Sequence, residues 1–192
     1  MHLSPYWYEK IIRPRFFVVK YIQNVLETTF DFRGKKVLDF GCGTGSNSFI
    51  FDQEGYLGMD VDAERVDLAR QLHPKYTFQY LKDGRIAAPD MSFDYVVILA
   101  TIHHVSDEDF SVYVSEFKRV LKPEGVIVCI EPVLDTKTPL NNWFMNFFDD
   151  GRYIRFESQY RDLFHGFEVV VHRRFKKNGW YNEVFFSAKP KM

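Results

Sequence analysis

Apolar positions along the chain follow two periods, and each period predicts a different kind of element. Five short apolar runs, rich in β-favouring residues, suit buried strands of a parallel sheet: 37–40, 56–59, 76–81, 93–99 and 126–130. Helices are predicted over four other segments, mostly from apolar residues spaced three or four apart: 15–28, 63–72, 107–121 and 157–164. Strands and helices therefore alternate from about residue 35 onward.

The end of the chain has a third pattern. Residues 166–174 and 180–188 alternate between apolar and polar side chains, and Asn178-Gly179 between them is typical of a tight hairpin turn. Together with the five apolar runs, this hairpin predicts an α/β fold. We expect a Rossmann-like, seven-stranded, mostly parallel sheet with a C-terminal antiparallel hairpin and helices on both faces.

One stretch, from Lys36 to Gly45, combines a strand with a turn suited to a ligand. It reads Lys-Val-Leu-Asp-Phe-Gly-Cys-Gly-Thr-Gly, with glycine at every second position from Gly41. Glycine adopts positive φ and lets a ligand lie directly on the backbone. Residues 46–51 are expected to begin a helix. A strand, a glycine turn and a helix N-terminus together predict a nucleotide-binding corner.

Two residues indicate which kind of nucleotide such a corner could bind. The dinucleotide fingerprint has its third glycine where this chain has Ser46. Asp39 would repel a pyrophosphate, whereas its carboxylate could help hold a ligand that carries an ammonium and a sulfonium. At this turn the chain resembles the class I S-adenosylmethionine-dependent methyltransferases, because residues 37–45 match their first signature. A glycine turn that binds no ligand is the alternative.

The resemblance implies S-adenosyl-L-methionine as the cofactor and no metal. It places the cofactor against residues near the ends of four strands: Asp39, Gly41, Cys42, Gly43, Asp60, Val61, Lys82, Asp83, Leu99 and Ala100. The spacing gives Asp60 a role of its own. It lies 19 residues after Gly41, which predicts a carboxylate at the edge of the neighbouring strand, within reach of both ribose hydroxyls. Asp83 is the candidate for the adenine amino group, with a simple turn residue as the alternative.

Asp62, just beyond Asp60, has a structural interpretation. It precedes Ala63-Glu64-Arg65 and is predicted to cap the N-terminus of the next helix.

Candidate catalytic residues follow the fourth and fifth strands. Residues 100–105 leave the edge of the fourth strand, and similar methyltransferases often carry His-His-Val there. His104 and His103 are the candidate general bases, because a neutral imidazole accepts a proton near pH 7. Helix capping and packing under the sheet edge are the structural alternatives for the two histidines. Glu131, expected where the fifth strand ends, is the further candidate base.

Composition narrows the classes of function. A hydrophobic fraction of 46% supports a full core, an aromatic fraction of 18% suggests an aromatic-lined pocket, and a net charge of −1 shows no bias towards nucleic acid. Cys42 and Cys129 fall in the glycine turn and in a predicted buried strand, so we expect no disulfide and a cytoplasmic location. We also expect no signal peptide and no transmembrane segment.

The chain is expected to divide into two parts. Residues 1–34 form an N-terminal helical segment whose aromatic cluster, Tyr6-Trp7-Tyr8, either closes over the ligand as a lid or packs against the sheet edge. Residues 35–192 form the methyltransferase domain. Within it, residues 136–156 are crowded with aromatic side chains and are interpreted as a substrate-side insertion, with a helix packed on the sheet as the alternative.

These patterns favour a methyltransferase of small-molecule biosynthesis that methylates oxygen or nitrogen. The sequence contains neither the Asn-Pro dipeptide of amino-methylating nucleic-acid enzymes nor the Pro-Cys pair of cytosine methylation. A tRNA or protein methyltransferase that uses the basic residues near the hairpin turn is one alternative. A catalytically silent protein that keeps the cofactor fold is another. The sequence does not specify the acceptor, the atom methylated or the oligomeric state.

Overall fold

A central sheet dominates the computed structural model, which describes residues 15–148 and 151–191. Its strands within those ranges are β1 Val37–Phe40, β2 Tyr56–Asp60, β3 Thr77–Tyr80, β4 Phe93–Leu99, β5 Leu121–Leu134, β6 Arg155–Phe156, β7 Phe167–Lys177 and β8 Tyr181–Pro190. Seven of them run in the order β3-β2-β1-β4-β5-β8-β7, and the two-residue β6 pairs with the end of β5.

The pairing of the strands confirms the predicted sheet. β1 pairs in parallel with β2 and β4, and β3 and β5 extend the parallel region on either side. β8 is antiparallel to both β5 and β7, as a C-terminal hairpin requires. Asn178 and Gly179 form its turn with φ of +52° and +78°, the left-handed conformations that a tight hairpin turn needs. The carboxyl ends of β1 to β5 meet at one edge of the sheet.

Helices cover both faces of this sheet. A helical segment, α1, spans residues 15–26 and consists of α-helical Arg15–Val18, π-helical Val19–Gln23 and α-helical Asn24–Leu26. The longer helices are α2 Ala63–Leu72, α3 Asp107–Val120, α4 Pro139–Phe148 and α5 Glu157–Leu163. As predicted, Asp62 caps α2, because its Oδ1 accepts from Glu64 N at 3.0 Å and from Arg65 N at 3.2 Å.

The core consists of two apolar layers, one on each face. Alternation along β1 directs Leu38 and Phe40 into one layer and Val37 into the other. α3 and α5 complete the first layer with buried Phe110, Val114, Phe117, Val120, Tyr160 and Leu163. α1 and α2 complete the second with buried Val25, Leu26, Val66 and Ala69.

The helix expected after the glycine turn is a wrong prediction. Residues 46–51 contain only a single 3₁₀ turn, Ser48–Ile50, and Phe51 is already extended. A second 3₁₀ turn, Gln53–Gly55, leads directly into β2. Ser46, Asn47 and Ser48 favour turns over helix interiors because their side chains compete for backbone hydrogen bonds. The chain also reaches β2 too soon to accommodate a long helix and its return.

The two aromatic-rich segments differ in how far the structure describes them. The Tyr6-Trp7-Tyr8 cluster lies outside the described residues, although α1 that follows it packs on the sheet through Val18, Val25 and Leu26. The 136–156 segment contains α4 and then returns to the sheet as β6; residues 149–150 within it are outside the described ranges. Over the described part of the chain, no helix has the length and apolarity to cross a membrane.

Candidate active site

Backbone hydrogen bonds connect the glycine turn to the end of β2. Gly41 N and Cys42 N both donate to Met59 O, at 2.7 and 3.0 Å. Gly41 and Gly43 have φ of +75° and +54°, in the left-handed region where a side chain would be strained. The turn thus places peptide groups at the carboxyl edge of the sheet.

The surroundings of Gly41 and Gly43 show that the two glycines are needed for different reasons. A Cβ on Gly41 would lie 2.2 Å from Thr101 Cγ2, so this glycine lets the turn pack against the chain that leaves β4. A Cβ on Gly43 would meet no atom within 4 Å. Gly43 therefore borders open space, where a ligand can approach the backbone directly.

Asp60 at the end of β2 lies beside this turn. Its carboxylate is 7% exposed; Oδ2 accepts from Gly43 N at 2.8 Å and Oδ1 accepts from Asp62 N at 2.9 Å. A carboxylate has about four acceptor positions, so both oxygens keep capacity for a further donor. The predicted contact with ribose hydroxyls stays a prediction, but the structure does bring Asp60 and the glycine turn together.

A second carboxylate is buried near the turn. Asp39, in β1, is 1% exposed, and Tyr56 Oη donates to its Oδ2 at 2.7 Å. Burial raises the pKa of the Cys42 thiol well above its usual range, and the charges of Asp39 and Asp60 raise it further. Cys42 is therefore a protonated thiol rather than a nucleophile. Asp39 is placed to influence a cationic ligand by its charge, and direct contact stays a prediction.

The next group of predicted cofactor residues lies around the ends of β2 and β3. Val61 follows Asp60 and is 59% exposed. Leu81 N donates to the backbone carbonyl of Asp60 at 2.8 Å, so the exposed residues Lys82 and Asp83 follow directly where β3 lies beside the end of β2. Asp83 has φ of +55°, a turn conformation. These residues form one rim of the site, as a nucleoside bound across the strand ends would require.

The last predicted cofactor residues, Leu99 and Ala100, lie where β4 ends. Leu99 is buried, and Ala100 N donates to Ile130 O at 2.8 Å. Ala100 has φ of +54°, an uncommon conformation for alanine. The chain therefore turns sharply at Ala100, directly beside Thr101, which packs on the glycine turn.

Glu131 holds the segment that follows this bend. It is fully buried, and its Oε1 accepts from Thr101 N at 2.8 Å and from Ile102 N at 2.9 Å. Its Oε2 lies 2.8 Å from Nδ1 of His103. Glu131 was expected where the fifth strand ends, but β5 continues past it to Leu134 and pairs with β8 there. The carboxylate thus organises the backbone of the 3₁₀ turn Ile102–His104.

The two adjacent histidines occupy different environments. His103 is 3% exposed, and its Nδ1 lies 2.8 Å from Glu131 Oε2; an ionised Glu131 accepts a hydrogen bond there, which favours the tautomer with the proton on Nδ1. His104 is exposed, and its ring centroid lies 4.1 Å from that of His103. A polar cleft adjoins it, lined by His104, Ser106, Asp109, Arg152 and Tyr153.

A small, mostly apolar cavity of about 20 Å³, room for about one water molecule, lies between α1 and the strand ends. Its lining comes from α1, β4, β5 and the hairpin: Val18, Tyr21, Ile22, Leu99, Ala100, Ile130, Phe175, Lys177 and Glu183. Leu99 and Ala100 belong both to this cavity and to the chain beside the glycine turn. The cavity therefore lies next to the strand end that reaches the glycine turn.

Glu183, in β8, is an acidic residue in the wall of this cavity. It is 3% exposed, and its Oε1 accepts from Lys177 Nζ at 3.2 Å. Within the described residues, its Oε2 is buried and has no hydrogen-bond partner. Burial raises the pKa of the Glu183 carboxyl, and the nearby charge of Glu131 acts in the same direction. A buried carboxylate with spare acceptor capacity can receive a hydrogen bond from a molecule in the cavity.

Comparison with known proteins identifies the type of domain that carries this site. The sequence model of the methyltransferase domain family matches residues 38–129, from β1 into β5. The chain therefore carries a methyltransferase domain, and the match supports the class I S-adenosylmethionine-dependent methyltransferases as its family. The predicted family is therefore confirmed.

Three proteins illustrate the similarity of this methyltransferase to known ones. A 2-methyl-6-phytyl-1,4-hydroquinone methyltransferase of Synechocystis is 33% identical over 118 residues, covering 57% of this chain and 36% of that protein. A ubiquinone biosynthesis O-methyltransferase of Haemophilus ducreyi is 34% identical over 118 residues, covering 56% and 48%. The crystal structure of magnesium protoporphyrin IX methyltransferase from Synechocystis, with bound SAH, has a TM-score of 0.69 at 19% identity, covering 98% of this chain and 89% of that one. The matched region thus spans less than half of either curated relative, and the solved structure shows a shared fold.

Sequence reasoning missed two charged residues of the methyltransferase that line the cavity, Lys177 and Glu183. Both lie in the hairpin, where alternation predicted strands and the basic residues near the turn were considered for the tRNA or protein methyltransferase alternative. The antiparallel register sets Glu183 opposite Pro132, one residue beyond Glu131. The available signal for Glu183 was an acidic residue within an otherwise apolar strand, β8. The neighbouring sequence does not show which face of the sheet this residue occupies.

Proposed function

We propose that this methyltransferase binds S-adenosylmethionine at the glycine turn and methylates a hydroxyl or amine of a largely apolar acceptor whose reacting group enters the small adjoining cavity. The observation that carries the proposal is the adjacency of the two regions: Leu99 and Ala100 line the cavity, and the next residue, Thr101, packs on Gly41. The methyl group and the acceptor atom must lie in line with each other, and adjacent sites allow this.

The residues at the turn fit the cofactor. Open space beside Gly43 admits a ligand against the backbone, and the spare acceptor positions of Asp60 suit two vicinal hydroxyls. The charge of Asp39 and Asp60 suits an ammonium and a sulfonium. Lys82 and Asp83 on the neighbouring rim are the candidates for the base.

Methyl transfer depends mainly on how the acceptor atom is positioned. S-adenosylmethionine supplies a methyl group that is already activated by its sulfonium, so the protein's main task is to align the acceptor atom. Such alignment can contribute about 7–11 kcal/mol to lowering the barrier. The apolar walls around Leu99 and Ile130 would exclude water from the acceptor atom.

Glu183 is our candidate for the residue that orients the acceptor. Its partnerless Oε2 would accept the hydrogen of an acceptor hydroxyl or ammonium, while Lys177 holds Oε1. Among the residues predicted as bases, His103 has the lone pair of Nε2 fixed by Glu131 and is the candidate proton acceptor. Glu131 itself is occupied by backbone donors and is a positioning residue. His104 borders the polar cleft and would contact a polar end of the acceptor.

The acceptor class follows from the cavity and from the relatives. Apolar walls with one carboxylate suit a hydroxyl carried on an apolar body. Two of the relatives described above are named for a hydroquinone and for ubiquinone biosynthesis, and a third, from Mycolicibacterium smegmatis, is named as a fatty-acid O-methyltransferase. We therefore propose a quinol or another lipid-like hydroxyl compound as the acceptor, with oxygen as the methylated atom.

Two glycine variants test cofactor binding with matched backbone strain. Gly43 and Gly34 both have left-handed φ, +54° and +66°, and a Cβ would meet no atom within 4 Å at either position. Only Gly43 lies at the site, so calorimetry should show weaker binding of S-adenosylmethionine to Gly43→Ala and unchanged binding to Gly34→Ala. Wild-type protein that binds NAD but no S-adenosylmethionine would refute the proposal.

Methyl transfer is tested with labelled S-adenosylmethionine and an acceptor panel. Alkylated hydroquinones, their mono-methyl ethers, fatty acids and unfractionated tRNA make up the panel. Product from the hydroquinones and none from tRNA is the expected result. Product from tRNA alone would support the alternative substrate class, and binding without any product would support a catalytically silent protein.

A further inference from the structure

We propose that the exposed face of α4 and the tip of the β7–β8 hairpin dock on the surface of an anionic phospholipid bilayer. The inference goes beyond methyl transfer and does not depend on the acceptor's identity. It rests on an apolar surface that faces outward and on the cations that surround it.

Helix α4 exposes its apolar side to the surface instead of burying it. Leu140, Trp143 and Phe147, spaced at helical positions on one side, are 74%, 63% and 68% exposed. The opposite side buries Asn141 and Met145. A surface helix ordinarily buries its apolar stripe and exposes its polar one. An apolar face turned outward on this scale marks an interaction surface.

The hairpin tip extends this apolar face into one patch. Trp180 is 55% exposed, and its carbonyl accepts from Asn141 Nδ2 at 2.9 Å. The rings of Phe144 and Trp180 have centroids 5.6 Å apart, and those of Trp143 and Phe147 are stacked at 5.5 Å. We name Leu140, Trp143, Phe147 and Trp180 the docking patch.

Two exposed lysines beside the docking patch are complementary to an anionic membrane. Residues 139–148 contain no charged side chain at all. Lys137 precedes the helix, and Lys176 lies opposite Asn182 in the hairpin; both are exposed, and neither forms an ion pair with another described residue. Asp149 and Asp150 follow the helix in the sequence and lie outside the described ranges. Juxtamembrane lysines are attracted to anionic lipid headgroups, which a neutral protein groove would not provide.

Tryptophan on the docking patch also favours a bilayer over a dry protein interface. Trp143 and Trp180 are two of the three tryptophans in the chain, and tryptophan concentrates where hydrocarbon meets headgroups. A fixed connection links the patch to the cavity: Asn182 donates to Thr138 Oγ1 at 2.8 Å and to Met145 Sδ at 3.4 Å, and the next residue is Glu183. Docking would therefore hold the cavity close to the lipid surface.

Vesicle sedimentation of the whole protein tests the proposal directly. The probes are vesicles of equal parts phosphatidylcholine and phosphatidylglycerol, and vesicles of phosphatidylcholine alone. We expect binding to the mixed vesicles, a blue shift of tryptophan emission, and weaker binding in high salt. Trp143→Ala should lower the partition coefficient at least about tenfold, since a large aromatic surface is no longer inserted. Lys176→Ala should lower it about fivefold.

Matched controls separate docking from general effects. Val112→Ser alters an exposed apolar residue, 54% exposed, on α3, and should bind vesicles like the wild type. The thermal midpoint of every variant checks folding, which exposed positions should leave unchanged. The proposal is overturned if the mixed vesicles do not sediment the protein, or if Trp143→Ala and Val112→Ser bind equally well. Equal binding to neutral and mixed vesicles would remove the role assigned to the lysines. Self-association that Trp143→Ala abolishes, without vesicle binding, would make a second copy the occupant of the patch.

Discussion

Replacing Glu131 should separate its role in folding from its role in catalysis. In Glu131→Ala, four donors lose their acceptor: Thr101 N, Ile102 N, His103 N and His103 Nδ1. Each unsatisfied donor costs about 1–3 kcal/mol, so the total is about 4–12 kcal/mol. A domain of this kind is stable by about 5–15 kcal/mol. We therefore expect Glu131→Ala to lose most of its stability or to be unfolded.

Glu131→Gln is the more informative variant, since the amide oxygen still accepts from Thr101 N and Ile102 N. Two charge-assisted hydrogen bonds become neutral ones, a loss of about 1 kcal/mol each. The amide NH₂ then faces His103, where it leaves the backbone N–H of His103 without its acceptor and must donate to Nδ1, which moves the ring proton to Nε2. The variant should fold with a loss of about 3–5 kcal/mol and carry the opposite His103 tautomer.

Urea denaturation and nitrogen NMR of the histidine rings measure these two effects separately. If His103 is the base, Glu131→Gln should also lower the maximal rate by about 10²–10⁴-fold, because Nε2 no longer has a lone pair. A wild-type tautomer in Glu131→Gln, or wild-type stability in Glu131→Ala, would refute this account of Glu131. A changed tautomer with an unchanged rate would exclude His103 as the base.

Three further predictions concern neighbouring charges. Asp60→Asn should weaken S-adenosylmethionine binding in calorimetry, whereas Asp62→Ala should keep the wild-type affinity and lose only about 0.5–2 kcal/mol of stability in urea. Equal affinities in both variants would contradict the role of Asp60. Glu183→Gln should be more stable than wild type at pH 7, because burial raises the pKa of this carboxyl and its ionisation opposes folding above that pKa. This gain in stability should shrink as the pH falls towards the ordinary pKa of 4.5, and urea titrations that show no gain at pH 7 would contradict the prediction. Arg155→Lys should lower the thermal midpoint markedly, because the buried guanidinium binds Asp107 and three backbone carbonyls that a single ammonium cannot all reach. An unchanged midpoint would show that these contacts contribute little to stability.

The parts of the fold that local sequence determines were predictable. The glycine turn, the cap at Asp62 and the hairpin turn at Asn178-Gly179 each depend on residues within a few positions of one another. The apolar runs likewise matched β1 to β4 to within one residue at each end, whereas β5 extends beyond its apolar run in both directions. Local rules worked there because backbone conformation, burial and turn chemistry all favoured the same structure.

The parts that depend on register between distant strands were not predictable. Glu131 looks like a residue at the open end of a strand, and only the pairing of β5 with β8 shows that it is buried and committed to backbone donors. Glu183 reaches the cavity by the same pairing. A helix packed on the sheet was one interpretation of 136–156, yet the aromatic residues crowded there do not specify which side of such a helix faces the sheet. In α4 the apolar side faces outward, against the usual rule.

The short 3₁₀ turn after the glycine turn has an electrostatic consequence. A full helix starting at Ser46 would add the field of many aligned peptide dipoles, equivalent to roughly half a positive charge at its N-terminus. The single turn Ser48–Ile50 sums very few of them, so it adds little positive potential against the charges of Asp39 and Asp60. Phosphate groups should be repelled before any specific contact forms, and cationic nucleosides should be drawn in. We therefore expect that a short turn in place of a full helix disfavours phosphorylated nucleotides at this site.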